Sequence, residues 1–251
     1  MAKQEKNQEK QRDGERIAKV MARAGLCSRR EAERWIEEAR VEMNGEIVTT
    51  PATLVSSADK IMVDGKPLPV KEKTRIFLYH KPAGLMTTNN DEKGRETIFD
   101  HFPNDLPRVV TVGRLDMNTE GLLLLTNDGE LSRYLELPKN EFKRTYRVRA
   151  HGKISQERLD QLESGIVWNK IKYDSIEATL EKQQGANVWI EISLKEGKNR
   201  EVRNIMEALG LTVNRLIRLS YGPFHLGRLP KKAIMEVKTH QLKKMVPEFF
   251  T

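Results

Sequence analysis

Two short apolar runs, Val109–Val112 and Leu122–Thr126, bracket a loop with very different chemistry. Between Gly113 and Gly121 the chain carries Arg114, Asp116, Asn118, Thr119 and Glu120. Apolar runs of this length fit strands inside a sheet. The polar loop between them is therefore tied to the core at both ends, which makes it a rigid platform for a side chain. On the residues alone two readings stand. Asp116 and Asn118 can cap turns through Asx hydrogen bonds, or Asp116 and Glu120 can form a carboxylate pair for acid/base work on a glycosidic bond.

The rest of the chain supplies a frame for that loop. Its 251 residues suit one ordinary domain with a smaller one attached. Residues 1–15 hold four charges of each sign and almost nothing apolar, so they are expected to be a disordered tail. From residue 16 the pattern changes. Ile17, Val20, Met21 and Ala24 recur at helical spacing, and Gly25 follows as a stop. Ser28 with Glu31 reads as a capping box opening a second helix. Asn44-Gly45 marks a hairpin, and Ile61–Val63 a further strand. These elements close a small unit over 16–66. The Pro- and Lys-rich stretch 67–74 reads as a linker, and 75–251 as the larger domain.

In that domain, Arg75–Tyr79 is a third apolar run. Tyr146, Val148 and Ala150 alternate with arginines, and Val188, Ile190, Ile192 and Leu194 alternate as a half-buried strand does. Two helices are expected, one from Ser155 to Gly165 and one from about Asn199 to Gly210. Strands outnumber helices and do not alternate with them. The fold class is α+β, with a mostly antiparallel mixed sheet flanked by helices.

Charge narrows the partners. Lysine and arginine number 44 against 36 acids, a net charge of +8, which favours a polyanion such as nucleic acid. No apolar run reaches 18 residues, so no membrane helix is expected. The N-terminus lacks an apolar signal region, and the lone Cys27 excludes a disulfide framework, so a cytoplasmic location is expected. Five scattered His and one Cys do not make a metal cluster. In the small unit Arg16, Lys19, Arg23, Arg29 and Arg30 all precede Glu31. Arg29 and Arg30 sit at the positive end of their helix, against the usual dipole preference, which suggests a phosphate-binding face. Arg215–Lys232 holds five basic residues and no acid, a second expected nucleic-acid strip with Arg215 and Arg218. There Tyr221, Phe224 and His225 either stack on splayed bases or sit buried in a strand pair. The polar loop 88–95 is expected to be mobile.

The residues also carry a family resemblance. The stretch from Arg16 to Val48, with the later strand ending DGKPL, resembles an S4 RNA-binding domain. The segment GRLDMNTEGLLLLTNDG resembles the central motif of the RsuA-like pseudouridine synthases, which act on ribosomal RNA. Lys81-Pro-Ala-Gly84, Arg144-Thr-Tyr146 and Gly197–Arg203 with Leu216–Gly222 resemble the family's other motifs, in order. Arg144 stands where Lys is more usual. The closing stretches look most like the branch acting on large-subunit 23S rRNA.

The resemblance implies a uridine-to-pseudouridine isomerisation, with no cofactor and no metal, on a nucleotide flipped out of folded RNA. It implies Asp116 as nucleophile, Arg203 as its basic partner, and Tyr146 as the aromatic stacked on uracil. It implies Leu219 in the apolar wall under the base, with Lys81 supporting the first motif's turn. Arg114 would hold a phosphate or pin the loop. It further implies a monomer whose partner is 23S rRNA in pre-ribosomal particles, away from any membrane. A 16S rRNA target and a non-catalytic S4-type assembly factor stay as alternatives.

Overall fold

A computed structural model describes residues 14–250 of the chain. It divides into two compact units, one ending at Lys73 and the other beginning at Thr74. The tail expected over 1–15 lies outside the described residues except for Gly14 and Glu15.

The small unit starts with β1 (Glu15–Arg16) and α1 (Ile17–Arg23), followed by α2 (Arg29–Glu37). Ser28 accepts from the Glu31 amide while Glu31 accepts from the Ser28 amide, so the capping box forms. Strands β2 (Val41–Met43) and β3 (Glu46–Ile47) make the hairpin. Asn44 and Gly45 turn it at φ 56° and 88°, the left-handed region that a tight hairpin turn needs. Strands β4 (Leu54–Val55), β5 (Ile61–Val63) and β6 (Lys66–Pro67) complete the unit. Ile17, Met21, Ala32, Ile36, Val41 and Val63 form its core.

Two edges differ from the sequence reading. Glu15 pairs with Val55, so ordered structure begins before residue 16. Pro67 pairs with Met62, so the first residue of the expected linker belongs to a strand.

The larger unit is built on a nine-stranded sheet. Its elements are, in chain order, β7 (Ile76–Lys81), β8 (Val110–Val112), β9 (Glu120–Thr126), α3 (Gly129–Glu136), β10 (Arg144–His151) and α4 (Gln156–Asp160). The separate hairpin β11 (Ile166–Trp168) and β12 (Ile171–Tyr173) follows, then β13 (Glu177–Gln184), β14 (Asn187–Leu194) and α5 (Glu201–Ala208). Last come β15 (Thr212–Tyr221), β16 (Phe224–His225), β17 (Ile234–Glu236) and α6 (Thr239–Met245). The main strand order is β13-β14-β10-β15-β9-β7-β17, with β8 on β9 and β16 on β15. Every pairing is antiparallel except β15 with β9.

Strand β9 explains its own composition. Leu122 and Leu124 enter one core cluster, Leu123 and Leu125 another, and all four are 0% exposed. The strand is buried on both faces, hence the unbroken leucine run; each leucine contributes about 2 kcal/mol by burial. Toward the other edge only one face is covered. Val148, Ile190, Ile192, Val202, Ile205 and Leu159 pack together under α4 and α5, which produces the alternation in β10 and β14.

Helices α3 and α6 and the hairpin β11–β12 do not stand out in the sequence pattern. Asp128 caps α3 by accepting from the Glu130 amide, and Leu131 and Leu135 are its buried face. The cap signal is present along the chain, but Asp128-Gly129 also fits a turn. Among the described residues no helix is long and apolar enough to cross a membrane.

Candidate active site

The loop between β8 and β9 is held carbonyl by carbonyl. Thr87 Oγ1 donates to the Leu115 carbonyl at 2.8 Å. Lys81 Nζ donates to the carbonyls of Asp116, Met117 and Thr119 at 3.1–3.2 Å and to that of Pro82 at 3.0 Å. The Gly84 amide donates to Met117 O at 2.8 Å, and Arg203 Nη2 to Asn118 O at 3.0 Å. Five consecutive carbonyls, Leu115 to Thr119, are thus gripped from β7, the turn after it and α5. Lys81 is 0% exposed. An ammonium can be buried there only because four carbonyls replace its water. Burial still pushes its pKa down to about 8, against the upward pull of the Asp116 and Glu120 carboxylates.

This grip leaves the Asp116 side chain at the edge of a cleft of about 1110 Å³, with 38% of it exposed. Tyr146 from β10, Arg203 from α5 and Arg114 from the loop line the same cleft. The three residues expected to act together are therefore brought together from three separate elements. The sequence reading names Arg203 as the basic partner of Asp116, and a second arginine also stands there. Arg200 Nη1 stands 3.8 Å from Asp116 Oδ2, whereas Arg203 holds the Asn118 carbonyl. Arg200 caps α5 at φ 51°, in the left-handed region. Burial and the neighbouring Arg200 lower the Arg203 pKa, and Asp116 pulls it back up.

Glu120 does not pair with Asp116. Arg215 binds it at 2.8 and 3.0 Å and Lys231 at 2.6 Å. The Arg215 hydrogen bonds, joined by Lys231, hold its pKa down to about 2 against burial. A carboxylate so neutralised, and absent from the cleft lining, cannot serve as the second acid of a hydrolase.

Several expected RNA contacts change place. Arg215 is absorbed by Glu120, and Leu219 does not line the cleft; Leu216 and Leu194 supply its apolar wall. The reason is strand alternation: Leu216 and Arg218 share the cleft face, while Leu219 falls at an irregularity in the β10–β15 pairing. Arg218 is 2% exposed and is no surface cation. Tyr221 and Phe224 are each 1% exposed, so they are core residues, not stacking platforms. Tyr221 Oη accepts from Arg144 and donates to the Leu135 carbonyl. Loop 88–95 is braced: Asp91 accepts from the amides of Lys93 and Arg95 and from the Arg95 guanidinium.

Glu201 escaped the sequence reading. It is 5% exposed, lines the cleft, and accepts from the Lys198 amide at 3.0 Å. Burial, helped by Glu196, raises its pKa to about 7. No spacing marks such a residue, because its burial depends on how α5 meets the preceding turn.

In the small unit, Lys19 and Arg23 both pair with Glu15. Arg16, Arg29 and Arg30 stay exposed without an ion pair among the described residues. Three of the five expected cations therefore remain free for a phosphate.

This arrangement has recognisable company. Residues 75–208 match the family described as RNA pseudouridylate synthase, and residues 15–67 match the S4 domain. The chain belongs to the RNA pseudouridylate synthase family and is an RNA pseudouridine synthase carrying an N-terminal S4 domain. It is 44% identical over 230 residues to an uncharacterized RNA pseudouridine synthase of Rickettsia felis, covering 92% of this chain and 100% of that one. It is 40% identical over 243 residues to the ribosomal large subunit pseudouridine synthase B of Yersinia pestis, covering 93% and 76%. A crystal structure of a pseudouridylate synthase superimposes with a TM-score of 0.64 at 28% identity, covering 92% of this chain and 99% of the other.

Proposed function

We propose that this enzyme isomerises a uridine of 23S ribosomal RNA, with Asp116 as the nucleophile acting on a flipped-out nucleotide. The carrying observation is the convergence of Asp116, Tyr146 and Arg203 on one cleft, over a loop in which five consecutive carbonyls are held. The 40% identity to the large-subunit enzyme of Yersinia pestis supports the choice of RNA.

The reaction exchanges one bond for another. The C1′–N1 bond breaks, the base turns, and C5 bonds to C1′; C5 gives up a proton and N1 takes one. Nothing is oxidised and no group is donated. Asp116 needs to be charged and fixed. Arg200 and Arg203 supply positive charge on one side, and the lysine-pinned loop supplies position. Tyr146 stacks against the uracil, with its hydroxyl toward the C5 proton. Leu194 and Leu216 exclude water beneath the base. Arg114, exposed at the cleft mouth with no ion pair among the described residues, meets a backbone phosphate. In the S4 unit Arg16, Arg29 and Arg30 hold further phosphates and help offset the few kcal/mol that eversion costs.

The test has two parts. Pseudouridines are mapped in ribosomal RNA from a strain lacking this protein, and tritium release is followed with the purified enzyme on 23S rRNA labelled at uridine C5. One 23S position is expected to lose its pseudouridine and to regain it in vitro. A lost 16S position overturns the choice of RNA.

A further inference from the structure

Arg218 is a buried cation with an unfinished set of hydrogen bonds. Its Nε donates to the Leu122 carbonyl at 2.7 Å, and its guanidinium lies 5.1 Å from the centre of the Tyr221 ring. Its backbone is pinned as well. Gly121 pairs with it across the parallel β9–β15 junction, where a Cβ on residue 121 would stand 2.3 Å from the Arg218 carbonyl. Yet Nη2 is buried with no acceptor, and no carboxylate pairs with the group among the described residues. Buried donors are nearly always satisfied, so a fixed one without an acceptor calls for a partner that arrives.

Its neighbours indicate which partner. Arg218 and Tyr146 are directly opposed residues on β15 and β10, and both line the cleft. Opposed side chains on one face of a sheet stand about 5 Å apart at Cβ. A base stacked on the Tyr146 ring therefore brings its edge to the Arg218 guanidinium. Arg144, the next arginine of the cleft, is already committed: it donates to the carbonyls of Lys195 and Glu196 and to the Tyr221 hydroxyl.

The geometry points to Arg218 as the residue that selects uracil, through a hydrogen bond from Nη2 to the base carbonyl at C4. This rests on the uridine reading above and adds its means of selection. A guanidinium donates and never accepts. Uracil offers an oxygen at C4, whereas cytosine offers an amino group whose hydrogens would face the guanidinium hydrogens. A fixed, charged donor accepts the first and rejects the second, much as buried polar groups reject a ligand that leaves them unpaired.

The experiment uses synthetic RNA stem-loops carrying the mapped target uridine, or cytidine in its place, bound to the full-length Asp116→Asn protein, with and without Arg218→Gln or Arg218→Lys. Gln can turn its amide to accept from cytosine, so the preference for uridine is expected to shrink tenfold or more. Lys keeps a donor and should keep most of the preference. A thermal melt identifies a variant that does not fold. For that case a second measurement leaves the protein intact: the wild-type enzyme is given a stem-loop with 4-thiouridine at the target, a weaker acceptor, and kcat/KM is expected to fall at least fivefold. An unchanged uridine-to-cytidine ratio in folded Arg218→Gln, or an unchanged kcat/KM on 4-thiouridine, overturns the inference. A wild-type enzyme that converts no uridine overturns the functional reading itself, and the inference with it.

Discussion

Arg218 and Arg30 carry the same guanidinium into opposite surroundings. Arg218 lies buried in the sheet at the cleft wall of the larger unit, stacked on Tyr221 and tied to Leu122. Arg30 stands exposed in the first turn of α2 without an ion pair among the described residues. The buried charge is fixed and barely screened, so it can select between near-identical bases. The exposed one is hydrated and screened within about 10 Å at 0.1 M salt, so it can only attract a phosphate. A net charge of +8 conceals this division of labour.

The sharpest way to break the comparison lies at the cleft. Asp116→Asn should lower turnover by roughly three orders of magnitude or more, in line with other single losses of a nucleophile. RNA affinity should stay near wild type, because the exposed arginines are untouched. Tritium release and filter binding on the same RNA measure the two quantities; near-normal release would remove Asp116 from its role.

Lys81→Met should come next, since it removes the common donor of four carbonyls, of which only those of Asp116 and Met117 keep a backbone amide. A loss of about 3 kcal/mol in urea unfolding is expected, with turnover falling further than RNA affinity. The same lysine predicts opposed pH trends. Its folded pKa, about 8, lies below its ordinary 10.5. Between these values the folded chain releases the proton while the unfolded chain keeps it, so this group's share of stability rises with pH. Turnover should fall across the same window, because a neutral amine has two hydrogens for four carbonyls. Turnover that holds steady up to about pH 10, near the ordinary lysine value, in a folded protein would refute the pinning role.

Glu120→Gln tests a charge that belongs to neither extreme. The Glu120 pKa of about 2 lies below its ordinary 4.5, so its stabilisation is complete above pH 4.5 and disappears as the pH falls toward 2. Its partners Arg215 and Lys231 are 42% and 54% exposed, which reduces the expected cost to roughly 1 kcal/mol at neutral pH. Melting curves at neutral pH and at about pH 4 should show the variant's deficit shrinking in acid, with turnover retained throughout. Lost turnover would return Glu120 to the chemistry.

The smallest effect belongs to the exposed pair. Arg29→Ala with Arg30→Ala should weaken RNA binding several-fold at low salt and flatten the dependence of log K on log salt by about two, one for each phosphate that is no longer neutralised. The value of kcat should not change. An unaltered salt slope would deny α2 a phosphate role.

Much of this molecule is legible along the chain. Ser28 with Glu31, Asn44-Gly45 and the alternation from Val188 to Leu194 each report on neighbours a few residues away, and each forms as its spacing implies. Asp116, Tyr146 and Arg203 are legible as motif positions. The place of Leu219, and the choice between stacking and burial for Tyr221, are not legible there for one physical reason. Which face a strand residue takes depends on bulges and cross-strand register, as in β15, and those are fixed by partners far away in sequence.

The order of residues by itself determined the local elements, the two-unit plan and the chemistry available at each motif, because helix caps, turns and periodicity act over a few residues. Only the tertiary structure decided which charges are neutralised, which are free and which are buried. Arg200 came to join Arg203 at Asp116, Glu120 was taken by Arg215 and Lys231, and five loop carbonyls were handed to donors from elsewhere in the chain. Those outcomes depend on desolvation and on distances between side chains far apart along the chain, and such distances exist only after the sheet has closed.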